Sequence, residues 1–578
     1  MGRRGRPVKG FAYGTDVPDP NLRALAEEYW DALLEASPTT ATILGDHRFD
    51  DRIEDLSAAA EADQRATWTS MLDRLATIDA GALDADDRVT RGQLADELGD
   101  AVEAIDQRLI EIQSDQMSGY HVGLLQSLPV MSAPDPEAAK MLVERFRRVP
   151  DALEQVAQRF LDGAAAGRRP PAICISRAAH MIEGYLASPI ESDLFVSLPG
   201  PPGWDGEAAW RETLTEVARD VVRPAYRRMA DTLTERLLPQ ARDDEHCGLS
   251  WLDDGAQIYA TFIDHHTTLE LPPEQIHEIG MEEVTQKLPG EYAEVGGRLF
   301  GLSDPAAVLD RLRHDESLRY STGEEILADA REAFEAAKEA MGDWFGRLPV
   351  APCAIEVVPE FLAPDSPSAY YFPPPGDGSR GGIYYVNTDT PANKARYETA
   401  SIAFHEAIPG HHLQLAIATE LTDLPRFRRF SLANTAYVEG WGLYSERLAA
   451  EMGLYRNDLE RIGMLAADSI RACRLVVDTG IHALGWSRAR AIEFMTANTP
   501  VSAEEVTIEV DRYIGMPGQA LAYKLGQREI LRLRESARAT LGPRFDIKGY
   551  HDAVLGSGAV GLPMLGQLVG DWVASRAA

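Results

Sequence analysis

The chain has 578 residues, 45% apolar and 26% charged, with 57 basic against 91 acidic side chains and a formal net charge of −34. That apolar share suffices for a sizeable buried core and excludes wholesale disorder. The charge argues against a nucleic-acid backbone or an anionic membrane as the main partner, because both repel an acidic surface, while leaving room for a local basic pocket.

The first residues, MGRRGRPVKGFAYGTDVPDP, are basic but lack an apolar h-region, so residues 1–20 read as a flexible tail rather than a secretory signal. Helical periodicity starts at Leu22 and runs to Ala36, ahead of a Ser37-Pro38 stop. Similar amphipathic patterns follow at 55–78, 88–116, 136–165, 173–188, 206–240, 273–299 and 323–346. Together, residues 21–349 are expected to form an acid-rich helical lobe with no repeat period. Cys174, Cys247, Cys353 and Cys473 lie far apart, at neither metal-knuckle nor redox-motif spacing, and read as isolated thiols in a reducing, cytoplasmic setting. The most apolar stretch, Ala553 to Trp572, is interrupted by five glycines, Pro563, Gln567 and Asp571, and is not expected to span a membrane.

Between about 350 and 390 the pattern changes. Ala354–Val358 and Gly382–Asn387 read as short strands separated by a Pro/Gly-rich loop, Phe372–Gly382. Such a sheet can serve as a scaffold, or can lay an extended substrate along its edge. Helical periodicity then returns from Ala395 onward, so 350–578 is expected to be a catalytic lobe integrated with the first.

Residues 401–414, SIAFHEAIPGHHLQ, carry three of the chain's thirteen histidines within eight positions. Neutral imidazole is a good zinc ligand, and a neighbouring carboxylate such as Glu406 can take a proton from an activated water. The familiar H-E-x-x-H spacing is absent, because Pro409 stands four residues after His405. On an unbroken helix His411 would lie roughly 120° from His405, whereas His412 would return to within about 20° but sit about 10.5 Å along the axis. Pro409 cannot bond to the His405 carbonyl and Gly410 loosens the backbone, so a kink or bulge is expected, and spacing alone leaves His411 and His412 both open. Downstream, Glu439 follows His411 by 28 residues, enough for a turn and a returning helix. Glu446, seven positions later on the same face, is placed to orient a ligand histidine.

HEAIPGHHLQ followed by EGWGLY resembles the bacterial family known as domain of unknown function eight-eight-five, over most of the chain. That family in turn resembles the mostly helical zinc peptidases that include carboxypeptidase Taq, the thimet-type oligopeptidases and angiotensin-converting enzyme. In those families the second zinc histidine follows a glycine in a HExGH run; Gly410-His411 matches that pair with two residues inserted before it. The resemblance implies a mainly α fold with a small sheet beside the active-site helix and two lobes around a deep cleft. It also implies zinc held by His405, His411 and Glu439, and Glu406 as general base. The Gly515–Gly526 stretch is similar to a tyrosine-bearing segment of the carboxypeptidases, which would turn Tyr523 toward the substrate carbonyl.

Weaker constellations complete the candidates. Arg474, Asp478 and His482 share one helical face and could bind a substrate carboxylate, with His482 acting on the intermediate, or could form a core network. Arg380 and Asn387 flank the expected strand, and His412 could contact substrate. His277-Glu278 and Asp264-His265-His266 read as structural. The expected activity is zinc-dependent hydrolysis of short peptides; an amidase acting on a non-peptide amide, or a non-catalytic binding protein of the same fold, are the alternatives.

Overall fold

A computed structural model describes residues 18–359, 363, 366–376, 378, 380–431 and 433–577. The expected tail at residues 1–20 lies outside the described residues except for its last three. There Asp19 caps the first helix, Pro20–Ala36, by accepting from the backbone N–H groups of Asn21 and Leu22.

The protein is mainly helical with one small sheet. Several expected helices are broken where the chain chemistry demands it. The 136–165 pattern divides into Pro136–Arg147 and Val149–Ala165, where Pro150 withholds a backbone donor. The 88–116 pattern stops at Asp106, where the left-handed Arg108 and a short 3₁₀ turn at Leu109–Glu111 redirect the chain. No helix among the described residues is long and apolar enough to cross a membrane.

The sheet has three strands: β1 (Cys353–Val357), β2 (Ala369–Phe372) and β3 (Gly382–Val386), in the order β1-β3-β2. β1 runs parallel to β3 and β2 antiparallel to it. The two expected strands are thus present, neighbouring but parallel, and the missing member, β2, comes from the segment just before the proline run. Both β1 and β2 are edges.

Hydrophobic clusters cross residue 350 freely. One joins Ile326, Phe334 and Phe345 to Tyr384, Phe404, Trp441, Ile530 and Trp572; another joins Cys174, Tyr292 and Leu312 to Tyr397, Val476 and Tyr513. Within the first, helix Thr435–Glu451 crosses helix Ala522–Leu541 at Gly440 and Gly526. A Cβ on Gly440 would lie 2.5 Å from the Gly526 backbone, so only a glycine pair permits this approach. Glu439 and Tyr523 leave their helices beside that crossing.

Candidate metal centre

The chain does not bend at Pro409; it stops and restarts. Helix Thr399–Glu406 ends at Ala407 (φ −100°, ψ −102°), and helix His411–Thr419 begins after Gly410 (φ −82°, ψ −130°). One i→i−5 bond, from the His412 N–H to the Ala407 carbonyl (2.9 Å), bridges the break. Helix Thr435–Glu451 clamps it: Trp441 Nε1 donates to the Pro409 carbonyl (2.9 Å), and Ser445 Oγ donates to the Phe404 carbonyl (2.9 Å).

This restart brings three groups together. His405 Nε2 and His411 Nε2 each lie 3.5 Å from Glu439 Oε2. The donor atoms of all three residues fall within 4.8 Å of one another. The two rings stand perpendicular, with centroids 4.8 Å apart. Two imidazoles and a carboxylate are a donor set of catalytic zinc sites. Ligands about 2.0–2.1 Å from a tetrahedral ion lie roughly 3.3–3.4 Å from each other, close to the 3.5 Å seen here. The donor chemistry and the two His–Glu distances suit a zinc ion, while the widest donor separation, 4.8 Å, would have to close on binding one.

The surroundings orient the donors. Glu446 accepts from His405 Nδ1 (2.8 Å) and from Ser401 Oγ (2.7 Å), which leaves Nε2 of His405 directed at Glu439. Gly442 faces the His405 ring; a Cβ there would lie 2.6 Å from Cε1 and Nε2. Burial alone would lower the His405 pKa, but the carboxylates of Glu439 and Glu446 outweigh it and raise it to about 10. Burial likewise works to raise Glu439, yet His405 and His411 hold it well below the usual carboxylate range. The field at the centre therefore favours positive charge. Glu406 is pushed up chiefly by burial, against the pull of His405 and His411.

His412 faces elsewhere. Its Nδ1 meets the Tyr371 hydroxyl of β2 at 2.9 Å, and burial lowers its pKa to about 4. Of the two histidines that spacing left open, His411 lies in the cluster and His412 is tied to the sheet edge. Tyr523 is buried; its hydroxyl lies 3.3 Å from Gln519 Nε2 and 3.4 Å from Arg512 Nη2.

Three expectations need correction. His482 is no catalytic candidate, because both ring nitrogens are taken by backbone: Nδ1 by the Leu249 N–H (3.2 Å) and Nε2 by the Tyr513 carbonyl (3.0 Å). Asp478 accepts from Tyr259 (2.6 Å) and from the Gly518 N–H (3.1 Å), pinning the turn before Tyr523 rather than meeting substrate. Asn387 ties a loop together, its amide donating to the carbonyls of Ala363 and Ser366 and its oxygen accepting from Asp389. Arg380 is exposed and donates to the adjacent Gly381 carbonyl. Arg474 pairs with Glu509 (2.8 Å) and lies over the Tyr523 ring. His277 bonds Thr479 and His265 pairs with Asp100, so neither joins the cluster.

Sequence reasoning missed Arg471. Its guanidinium carbon stands 5.7 Å from the Tyr523 centroid, and its charge reaches Glu406. The available signal was its position three residues before Arg474, on the same helical face. A cavity of about 1160 Å³, walled by Asp96, Asp100, Asp264, His266 and Met516, approaches the Glu439 helix where His266 Nδ1 lies 3.5 Å from Thr435 Oγ1.

Fold and site together define a mainly helical protein with a His–His–Glu cluster whose histidines are buried and whose glutamate is half-buried. The chain belongs to the family described as Bacterial protein of unknown function (DUF885), which matches residues 38–569. It is similar to the crystal structure of the "putative lipoprotein" from Colwellia psychrerythraea, at 27% identity and a TM-score of 0.88, over 96% of this chain and 99% of that one. It is also similar to a "putative lipoprotein of unknown function" from Shewanella oneidensis, at 19% identity and a TM-score of 0.72, over 95% and 99%. At that lower identity the likeness is one of fold alone. Comparison with curated proteins gives no match.

Proposed function

We propose that this protein is a zinc-dependent metallohydrolase that cleaves amide bonds in short peptides. One observation carries the reading: Nε2 of His405 and Nε2 of His411 converge on Glu439 Oε2, each at 3.5 Å, with the Glu406 carboxylate next in sequence to a converging histidine. Zinc bound by these three residues supplies a Lewis acid that acidifies water and polarises a carbonyl. The other steps belong to side chains. Glu406 accepts the proton of the attacking water and returns it to the departing amine. Glu446 fixes the tautomer of His405 through Nδ1. Tyr523 has its oxygen turned to the donors of Gln519 and Arg512, so its own O–H proton is available to a developing oxyanion.

The preference for short peptides rests on the resemblance to helical zinc peptidases. The four cysteines are all free, and three of them are buried; this favours a reducing compartment, and the cytoplasm is the location we propose. Glu406→Gln tests the mechanism. Zinc should remain near one per chain by elemental analysis, while hydrolysis of a mixed short-peptide library, read by mass spectrometry, falls roughly 10²–10⁴-fold. Undiminished turnover removes Glu406 as the base. A folded, active protein free of metal removes the whole scheme.

A further inference from the structure

In a chain with a net charge of −34, positive charge is concentrated around one phenol. Arg474 and Arg471 lie against the Tyr523 ring, their guanidinium carbons 4.5 and 5.7 Å from its centroid, and Arg512 Nη2 is 3.4 Å from its hydroxyl. Arg474 and Arg512 share one carboxylate, Glu509, at 2.8 and 3.5 Å. Arg471 has no carboxylate within 4.0 Å among the described residues; its Nη1 makes one long bond, 3.3 Å, to the Ala467 carbonyl. Each of the three arginines also keeps one buried N–H without a partner: Arg471 Nε, Arg474 Nη1 and Arg512 Nε. Arg145, Arg159, Arg428 and Arg534 each keep such an N–H elsewhere in the fold, so this cluster is set apart by its density of positive charge and by the lack of a carboxylate on Arg471 among the described residues.

Two further glutamates, Glu398 and Glu505, feel the Arg471 charge from beyond ion-pair distance, and burial pushes both of their pKa values up. Arg471 lies against Tyr523, whose helix crosses the Glu439 helix at Gly526 and Gly440. It stands on helix Asp458–His482, whose 25 residues give it a rigid base. A planar fork of donors with a positive charge matches a carboxylate, which it can hold by two parallel hydrogen bonds.

We propose that Arg471, backed by Arg474 and Arg512, receives a carboxylate of the substrate near the bond to be cleaved. The carboxylate can be the α-carboxylate that ends a peptide or an Asp or Glu side chain within it. This inference takes its substrate from the peptidase reading, but the receptor can be measured without turnover.

The test uses the full zinc-loaded chain carrying Glu406→Gln, with four probes titrated by calorimetry: acetyl-Ala-Ala, its C-terminal amide, acetyl-Ala-Asp-amide and acetyl-Ala-Asn-amide. If the terminal carboxylate is the ligand, acetyl-Ala-Ala binds roughly 10–100-fold tighter than its amide; if the side chain is, the Asp peptide exceeds the Asn peptide by the same factor. Adding Arg471→Gln should bring that ratio to within about twofold of one. Arg471→Lys, which keeps charge but loses the fork, should lower it at least about threefold. Acids that bind no tighter than their amides, including no binding by either, overturn the proposal, as does a ratio that survives both substitutions. Failure of the peptidase reading would show separately, as intact binding ratios with none of the four probes hydrolysed when Glu406 is present.

Discussion

The His405 ring packs directly against Gly442, and replacing that glycine with alanine asks how firmly His405 is held. The added methyl would begin 2.6 Å from Cε1 and Nε2 of the imidazole. Carbon and nitrogen atoms settle at about 3.5–4.0 Å, so ring or helix must retreat by roughly 1 Å. The ring cannot slide freely, because its Nδ1 is bonded to Glu446 at 2.8 Å and the residue is only 4% exposed. Metal ligands tolerate about 0.2 Å of displacement. Overpacking of this kind costs about 1–3 kcal/mol. If that cost falls on the bound state, zinc affinity drops roughly 5- to 150-fold. Competition against a chromogenic chelator reads the affinity, and thermal unfolding with and without zinc separates a local effect from a global one. The expected result for Gly442→Ala is weaker zinc binding and a smaller zinc-induced rise in melting temperature. Wild-type zinc affinity, within about twofold, would refute the claim that this close contact positions the imidazole.

Three other substitutions address neighbouring claims. Glu446→Gln removes the charge behind His405 at nearly constant shape and should weaken zinc binding about 10–100-fold by the same chelator assay; no change would mean that the Nδ1 contact does not tune the ligand. His482→Leu should destabilise the fold by about 1–3 kcal/mol for each of the two backbone groups left unpaired, with turnover per folded molecule retained; lost turnover at unchanged stability would restore His482 to the catalytic machinery. Asp478 titrates at about 7 in the folded chain, raised from 3.8 by burial, so the folded state binds the extra proton between those values. Its contribution therefore makes stability fall as pH rises through that window, by up to about 1.4 kcal/mol per unit, with the loss complete above the folded pKa. Asp478→Asn should flatten that part of the slope in denaturant unfolding from pH 4 to 7, and an unchanged slope would contradict the assignment.

Much of the architecture was legible because helices announce themselves by period. Each pattern read from the chain before residue 350 finds helix, cut short where a proline or a left-handed residue ends a run, but Pro38–Ile43, Tyr120–Ser127, Gly255–Thr267 and Pro305–His314 are helices that periodicity did not single out. β2 escaped notice because Ala369–Phe372 is only four residues, all half-buried and beside a proline run, so no alternation registers. At the centre, residue type and order pointed to His405, Glu439 and one of His411 and His412, with His411 implied only by the family resemblance; their convergence depends on packing against Trp441 and Ser445, which no spacing rule encodes. Conversely, Arg474, Asp478 and His482 do share a face, as their four-residue steps require. What the spacing could not tell is that the face meets three different neighbours: Tyr523 and Glu509, Tyr259 and Gly518, and the backbone of Leu249 and Tyr513.

The helix restart also explains why adjacent histidines take opposite duties. Had the helix continued through 407–410, His405 and His411 would project roughly 120° apart and could not share Glu439. Leaving the helix at Ala407 and re-entering after Gly410 gives His411–Thr419 an axis and a rotation of its own, set by contacts rather than by counting residues. Once that rotation puts Nε2 of His411 at 3.5 Å from Glu439, His412 must point about 100° further round, away from the cluster. There it finds Tyr371 on the sheet edge. The two contacts are therefore one constraint seen from both sides: turning the helix to offer His412 to Glu439 would break the Tyr371 bond and withdraw His411, so the bond from His412 to β2 acts as the stop that holds His411 in place.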